Sequence, residues 1–461
     1  MSAAPLIWAD DLEAPLAWRE GVAISRRQYL ADVHQLAERL PEAGAMLNLT
    51  GDRYGFAVGL GAAMLRGQTS LLPPNHTPDM IERLREQFPA AYVLTDHPAI
   101  HAALPTIRHP FGTAVPPDRT DVPQIGTDAI VVQVLTSGST GVPVPHPKPW
   151  GLLRLGAQAE AQRLASQMGR SSFDGTTLVS TVPAQHMYGF ESTVLLALLS
   201  GASIDTARPF YPADIAAALA RAARPRMLVT TPFHLKLLLD SGVELPAIDL
   251  TLCATAPLSP QVATRAEAAL AAPLVEIYGC TETGQVATRR TTAGAEWRTF
   301  EGLHITGDGD ASVAQGGHVP QPTTLADVLE VVNPTTFRLF GRSNDLINIA
   351  GKRSSLGHLN YHLNAIDGVR DGAFWLPPDE AGDGVVRLIA FVVAPEMPAA
   401  ELSEKVTAAM RQRVDPAFVP RRVVQVAELP RVQATGKLPA NVFAAWAEQV
   451  LTSAPHRSSP G

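Results

Sequence analysis

Ala129-Ile-Val-Val-Gln-Val-Leu-Thr-Ser-Gly-Ser-Thr-Gly-Val-Pro143 decides the reading of this chain. Residues 129–135 are almost wholly apolar and read as a buried strand of a mainly parallel sheet. Residues 136–143 are mostly hydroxylic or glycine. Small residues at a strand's end let the backbone wrap closely around an anion, with amide and hydroxyl groups pointing inward. A nucleotide polyphosphate is the obvious guest, and a plain Gly/Ser surface loop is the alternative. The run is not a Walker loop, because neither Gly-Lys pair of the chain precedes Ser or Thr.

Outward from this stretch, residues 45–280 alternate strand and helix. Strands are expected at 45–49, 91–95, 129–135, 177–182, 227–231, 249–253 and 274–277. Helices are expected at 54–66, 152–168, 191–200, 214–223 and 260–270. Such alternation predicts a layered sheet covered on both faces. Gly59-Leu-Gly61 starts like a dinucleotide fingerprint, but it lies inside a helix and reads as close helix packing. Residues 285–340 lose helical periodicity and predict short antiparallel strands, a small barrel or distorted sheet. A fresh α+β pattern follows Arg342, with helices at 356–366 and 399–413 and a strand at 385–394. The expected fold class is therefore α/β: a large N-terminal domain (1–341) of layered αβα subdomains plus a β-barrel-like region, then a small α+β C-terminal domain (342–461).

The chain's 461 residues exceed one compact core. A hydrophobic share of 46% against 18% charged residues is that of an ordinary soluble protein. The net charge of −7 gives no reason to expect nucleic acid or an anionic membrane as partner. No apolar run reaches spanning length; the 54–65 stretch is boxed in by Arg53 and Arg66. The N-terminal residues lack a basic start, so no signal peptide is read there, and a cytoplasmic enzyme is expected. Cys253 and Cys280 form no metal-ligand pattern.

Four further segments occur in order: Tyr278-Gly-Cys-Thr-Glu282, Asp327, Gly341-Arg-Ser-Asn-Asp345 with Gly351-Lys-Arg353, and Thr435-Gly-Lys437. With the first loop they resemble the adenylate-forming superfamily of acyl- and aryl-CoA synthetases, adenylation domains and luciferases, over nearly the whole chain. Gly67-Gln-Thr-Ser-Leu-Leu-Pro-Pro74, Pro145-His-Pro-Lys-Pro-Trp-Gly151 and Asn348-Ile-Ala-Gly-Lys-Arg353 are most similar to the short AMP-ligases of aryl polyene and xanthomonadin pathways.

The resemblance implies an ATP- and Mg²⁺-dependent ligase that turns a carboxylic acid, aromatic and hydroxybenzoate-like, into an acyl-AMP. The acyl group would then pass to a phosphopantetheine thiol, on an acyl carrier protein or on free CoA. Thr136, Ser137, Gly138, Ser139, Thr140 and Gly141 would meet the β- and γ-phosphates. Ala256 would frame adenine, Tyr278 with Gly279 would stack on it, and Thr281 would bond the α-phosphate. Glu282 would hold Mg²⁺, and His186 would orient the reacting carboxylate. Asp327 would bind the ribose, in preference to Asp308, whose Gly307-Asp-Gly-Asp310 setting reads as a hairpin turn. Arg342 would donate to ribose or phosphate, Arg353 would meet the nucleotide or the thiol arm, and Lys437 would bridge the α-phosphate and the entering carboxylate. Tyr188, Gly189, Phe210 and Tyr211 are lesser pocket candidates. The family's loop lysine is replaced by Val144; either Lys148 folds back to serve, or that phosphate contact is missing. A catalytically decayed relative is the competing class. A serine hydrolase is disfavoured, since Ser137-Gly-Ser-Thr-Gly141 lacks the first glycine of G-x-S-x-G.

Overall fold

A computed structural model describes residues 2–97, 104–109, 121–137, 143–307, 309, 311–342, 346–349, 352–377, 387–432 and 438–453. The decisive apolar stretch forms strand Ile130–Ser137 of a six-stranded sheet. Its order is Pro143–Pro149, Ile130–Ser137, Thr69–Leu72, Ala45–Asn48, Tyr92–Thr95, Thr106–Arg108. All neighbours run parallel except the first pair.

Strand Pro143–Pro149 was not foreseen, because four prolines in seven residues argue against a strand. They stand at 143, 145, 147 and 149, a period of two, on the sheet's edge. Alternate N–H groups of an edge strand point away from the ladder, so proline there removes no pairing and discourages strand addition. The helix at Arg53–Leu65 is capped by Asp52, whose side chain accepts from the Gly55 amide. Gly59 in it serves close packing, as expected: a Cβ there would meet Leu94 Cδ2 at 2.5 Å and Asn48 Nδ2 at 2.6 Å.

The second sheet has eleven strands. Its parallel heart is Leu274–Cys280, Leu250–Cys253, Arg226–Thr230, Thr177–Ser180 and Ser203–Asp205, all carrying buried residues. Chain order reverses between Thr177–Ser180 and Arg226–Thr230. Ligands of open α/β sheets bind outside the carboxyl ends of strands at such a switch point. From Gly284 to Arg342 the described strand pairs are antiparallel. Gly284–Arg289, Glu296–Thr299, Thr336–Arg342 and Asp327–Asn333 extend the large sheet, while Leu303–Thr306, Val313–Gly316 and Val319–Thr324 make a small sheet of their own.

After residue 345 come the hairpin Leu346–Ile349/Lys352–Ser355 and the sheet Asp371–Trp375, Ile389–Val393, Arg422–Gln425. Helices Leu356–Asn364, Ala399–Arg413 and Ala440–Ser453 pack on it through two apolar clusters drawn only from residues 347–451. This smaller C-terminal part touches the large one where Gln261 Nε2 donates to Ala365 O at 2.8 Å. Gln261 opens a helix that follows a parallel strand, so the contact lies on the crevice side of the sheet. Among the described residues, no helix is long and apolar enough to cross a membrane.

Candidate active site

The Leu274–Cys280 strand runs past its parallel neighbours and turns back as Gly284–Arg289, with a register shift at Tyr278/Gly279. This hairpin gathers most of the described candidates. Shortly before its tip Tyr278 packs against Trp297 and Phe337, with ring centroids 5.8 and 5.5 Å away. Its hydroxyl donates to Asp327 Oδ2 at 2.7 Å. Asp327 is in turn the ladder partner of Arg342. Tyr278 and Asp327, chosen for adenine and ribose, therefore meet, and the backbone of Arg342, chosen for ribose or phosphate, pairs with Asp327, although 64 positions separate the first from the last. Asp308, the rejected alternative, lies outside the described residues.

At the hairpin's tip, Thr281 is half-buried and Glu282 exposed. Burial alone would raise the Glu282 carboxyl, but hydrogen bonds from its own amide and Cys280, and the charges of His146 and Lys148, hold it below its ordinary value. It is thus a carboxylate at neutral pH. Lys148 Nζ donates to Thr281 O at 2.5 Å and to Glu282 O at 3.1 Å. His146 Nε2 hydrogen-bonds Thr136 Oγ1 at 3.0 Å, joining the first loop's opening residue to the same corner. Lys148 does fold back, but onto the backbone of the tip.

His186 is half-buried at the start of a helical run built from Met187–Gly189, the π-turn Phe190–Leu195 and Leu196–Leu199. It follows the strand Thr177–Ser180, at the switch point. Tyr188 is turned inward: its hydroxyl donates to Thr230 O at 3.1 Å and Leu252 O at 2.9 Å. Phe210 packs edge-on to His234, and Tyr211 is 66% exposed. Ala256 lies half-buried beyond strand Leu250–Cys253, after Thr255, whose φ of 84° is rare for a β-branched residue. Gly279 occupies the bulged position of the hairpin.

Gly138, Ser139, Thr140, Gly141 and Lys437 lie outside the described residues. Ser137, Arg342 and Arg353 are placed by backbone alone, the first at the end of its strand, the last opposite Asn348. Sequence reasoning missed His146 and Glu191. The period-two prolines were the available signal for the first, since they place 144, 146 and 148 on the paired side of one strand. Glu191 had no local signal; a π-turn has no pattern of its own.

A sheet of this topology, with aromatic, acidic and hydroxylic groups converging beyond its carboxyl ends, defines a nucleotide-binding α/β enzyme. The family model described as AMP-binding enzyme matches residues 12–308, and the chain belongs to that family. It is 32% identical over 280 residues to a 4-coumarate--CoA ligase of Rhodobacter capsulatus, covering 61% of this chain and 66% of that one. A 4-coumarate--CoA ligase of Halorhodospira halophila is 28% identical over 238 residues, 51% of this chain and 56% of the relative. The chain thus spans somewhat under two thirds of these curated relatives. In fold it is similar to the anthranilate CoA ligase AuaEII in complex with anthranoyl-AMP (TM-score 0.77, 16% identity, 98% and 99% of the two chains). ATP-bound MatB from Rhodopseudomonas palustris is alike too (TM-score 0.76, 18% identity, 96% and 97%). The layered large domain and smaller C-terminal domain expected from the sequence are those of adenylate-forming enzymes.

Proposed function

We propose that the chain is an ATP-dependent acid–thiol ligase. A carboxylate anion resists thiol attack because its oxygen is a poor leaving group. In the first step a carboxylate oxygen attacks the α-phosphorus of ATP and pyrophosphate leaves with the electron pair of the broken P–O bond. In the second a thiolate attacks the acyl carbon and AMP leaves. The protein's part is to hold two anions in line and to stabilise accumulating negative charge.

The observation that carries this reading is the convergence on a single hairpin of Tyr278, its hydrogen-bonded Asp327 and the ladder position of Arg342 with Glu282, Thr136 and His146 at or beside the tip. The first group suits a nucleoside, the second its phosphates. Glu282 would hold Mg²⁺; one ionised carboxylate fits an ion that takes its other ligands from phosphate and water. That ion, when bound, supplies charge neutralisation at the phosphates. His186, at the switch point, would orient the acid.

An aromatic acid is favoured by the names of the relatives, 4-coumarate--CoA ligases, and by the resemblance to aryl polyene ligases. The acceptor is a phosphopantetheine thiol. The relatives' names favour CoA, and the aryl polyene resemblance of residues 67–74, 145–151 and 348–353 keeps an acyl carrier protein as the second reading. Separate apolar clusters on the two sides support a boundary at 341/342. Rotation about it would exchange Lys437, for adenylation, with the Arg353 loop, for thiol transfer. A pyrophosphate-release screen over hydroxybenzoic, cinnamic and fatty acids tests the reading. Aromatic acids should release pyrophosphate, and no release with any acid overturns it. Thioester yield with CoA against holo-carrier proteins then decides the acceptor.

A further inference from the structure

The fold buries Lys148 to 8% exposure, which for an ammonium demands compensation. Its stem leaves the edge strand Pro143–Pro149, and its ammonium is spent on two consecutive carbonyls, Thr281 O and Glu282 O. Drawing it out toward a phosphate would strand both acceptors. Among neighbouring charges, Glu191 acts on it most strongly, ahead of Cys280 and Glu282.

Glu191 arrives by an independent route. It lies in the π-turn Phe190–Leu195, where the helix accommodates one more residue per turn than an α-helix. Its Oε1 accepts from the Gln285 amide at 3.4 Å and stands 2.6 Å from where a Cβ on Gly284 would be. Gly284 has φ of +74° as well, so no other residue fits this close approach. The next helical residue is tied in too: the side-chain amide of Gln285 and Glu160 Oε1 each lie 2.7 Å from Ser192 Oγ, all buried. The 281–285 segment is therefore gripped from the strand by Lys148 and from the helix by Glu191.

The geometry points to Lys148 and Glu191 as positioning residues: a buried lysine on the strand and a half-buried glutamate on the helix that together hold the 281–285 turn from the protein side, leaving the Thr281 hydroxyl and Glu282 carboxylate for the nucleotide. The inference rests on the adenylation reading. It also answers whether Lys148 stands in for the lysine absent at Val144: its ammonium serves the turn and not a phosphate.

The test is acid-dependent ATP–pyrophosphate exchange in Lys148→Met, Glu191→Gln and the double variant. Lys148→Met should lower kcat/KM for MgATP at least tenfold, and Glu191→Gln should lower it in the same sense. The double variant should be no worse than Lys148→Met within twofold, because the pair acts as a unit. Affinity for adenosine, which needs only Tyr278 and Asp327, should stay within twofold throughout. An adenosine affinity that falls in step with kcat/KM would show a collapsed hairpin and overturn the inference, as would losses that multiply in the double variant. Unchanged kinetics in Lys148→Met, with normal wild-type exchange, overturn it and leave the adenylation reading standing. A wild type without exchange overturns both. Should Lys148→Met not fold, the near-isosteric Glu191→Gln carries the same comparison.

Discussion

Tyr278 and Asp327 are joined by a 2.7 Å hydrogen bond, hydroxyl to carboxylate, across 49 positions of chain. The bond couples the ring proposed to face adenine to the carboxylate proposed for the ribose. Tyr278→Phe keeps the ring and its packing on Trp297 and Phe337 but removes its bond to Asp327. A hydrogen bond to a charged acceptor contributes about 1.5–3 kcal/mol at most, and water can replace part of it here. KM for ATP in pyrophosphate exchange should rise roughly three- to tenfold, with kcat within twofold. An unchanged KM would detach this pair from nucleotide binding.

Asp327 has a sharper test. If it accepts from the ribose hydroxyls, the wild type should prefer ATP to 2′,3′-dideoxy-ATP by on the order of tenfold or more. Asp327→Ala should bring that ratio close to one by weakening ATP alone. A variant that weakens both nucleotides equally would assign the aspartate to the hairpin's architecture only.

Much of this was legible beforehand, for physical reasons that differ by element. The parallel strands were readable because buried strands are continuous apolar runs; 250–253 and 274–277 needed no context. The proximity of Tyr278, Asp327 and Arg342 could be anticipated because each sits in a recognisable local segment; their nucleotide role is a proposal. Strand Pro143–Pro149 was hidden by its own prolines, which are acceptable only at an edge, and edges are a property of the whole sheet. Lys148 was weighed as a phosphate ligand because its partners, two backbone carbonyls 133 and 134 positions away, leave no mark in the sequence. Tyr188 was named for a pocket and instead bridges two strand ends, for the same reason.

That bridge predicts a stability effect. The Tyr188 hydroxyl serves Thr230 O and Leu252 O at the ends of adjacent parallel strands. Tyr188→Phe removes the hydroxyl from both carbonyls, of which Thr230 O keeps the Ala254 amide at 3.4 Å, costing about 1–2 kcal/mol. The urea midpoint should fall accordingly. A shift below about 0.3 kcal/mol would mean that water replaces the hydroxyl.

Arg431 opens the segment that leads to Lys437, and its guanidinium grips Asp371 with two bonds, Nε to Oδ2 at 2.7 Å and Nη2 to Oδ1 at 2.8 Å. Both side chains are about three-quarters buried. Bidentate geometry fixes direction as well as distance. Lys437→Ala should cut adenylation by about two to three orders of magnitude, by analogy with other charge-stabilising groups. Arg431→Ala should cost about tenfold in the same half-reaction, equivalent to about 1.4 kcal/mol of positioning. Thiol transfer from supplied acyl-AMP should survive both changes. Equal loss of both half-reactions in either variant would remove the segment from the adenylation step.

His234 predicts how the fold responds to acid. It is 2% exposed, and burial, with a contribution from Arg208, lowers its pKa to about 4. Its Nδ1 hydrogen-bonds Thr231 Oγ1 at 2.9 Å, while Phe210 and Phe233 cover it edge-on. An unfolded histidine titrates near 6.5, so between about pH 6.5 and 4 the unfolded chain binds a proton that the folded chain refuses. Stability therefore falls as pH drops through that window, by up to about 1.4 kcal/mol per pH unit from this group, and levels off below pH 4. His234→Asn can retain a hydrogen bond to Thr231 but has no proton to gain. Its stability at pH 7 should be lower than wild type, yet its decline between pH 6.5 and 4 should be shallower, since every other titrating group is common to both. Urea unfolding at half-unit pH steps reads the two slopes, and parallel slopes would mean that His234 is protonated in the folded chain.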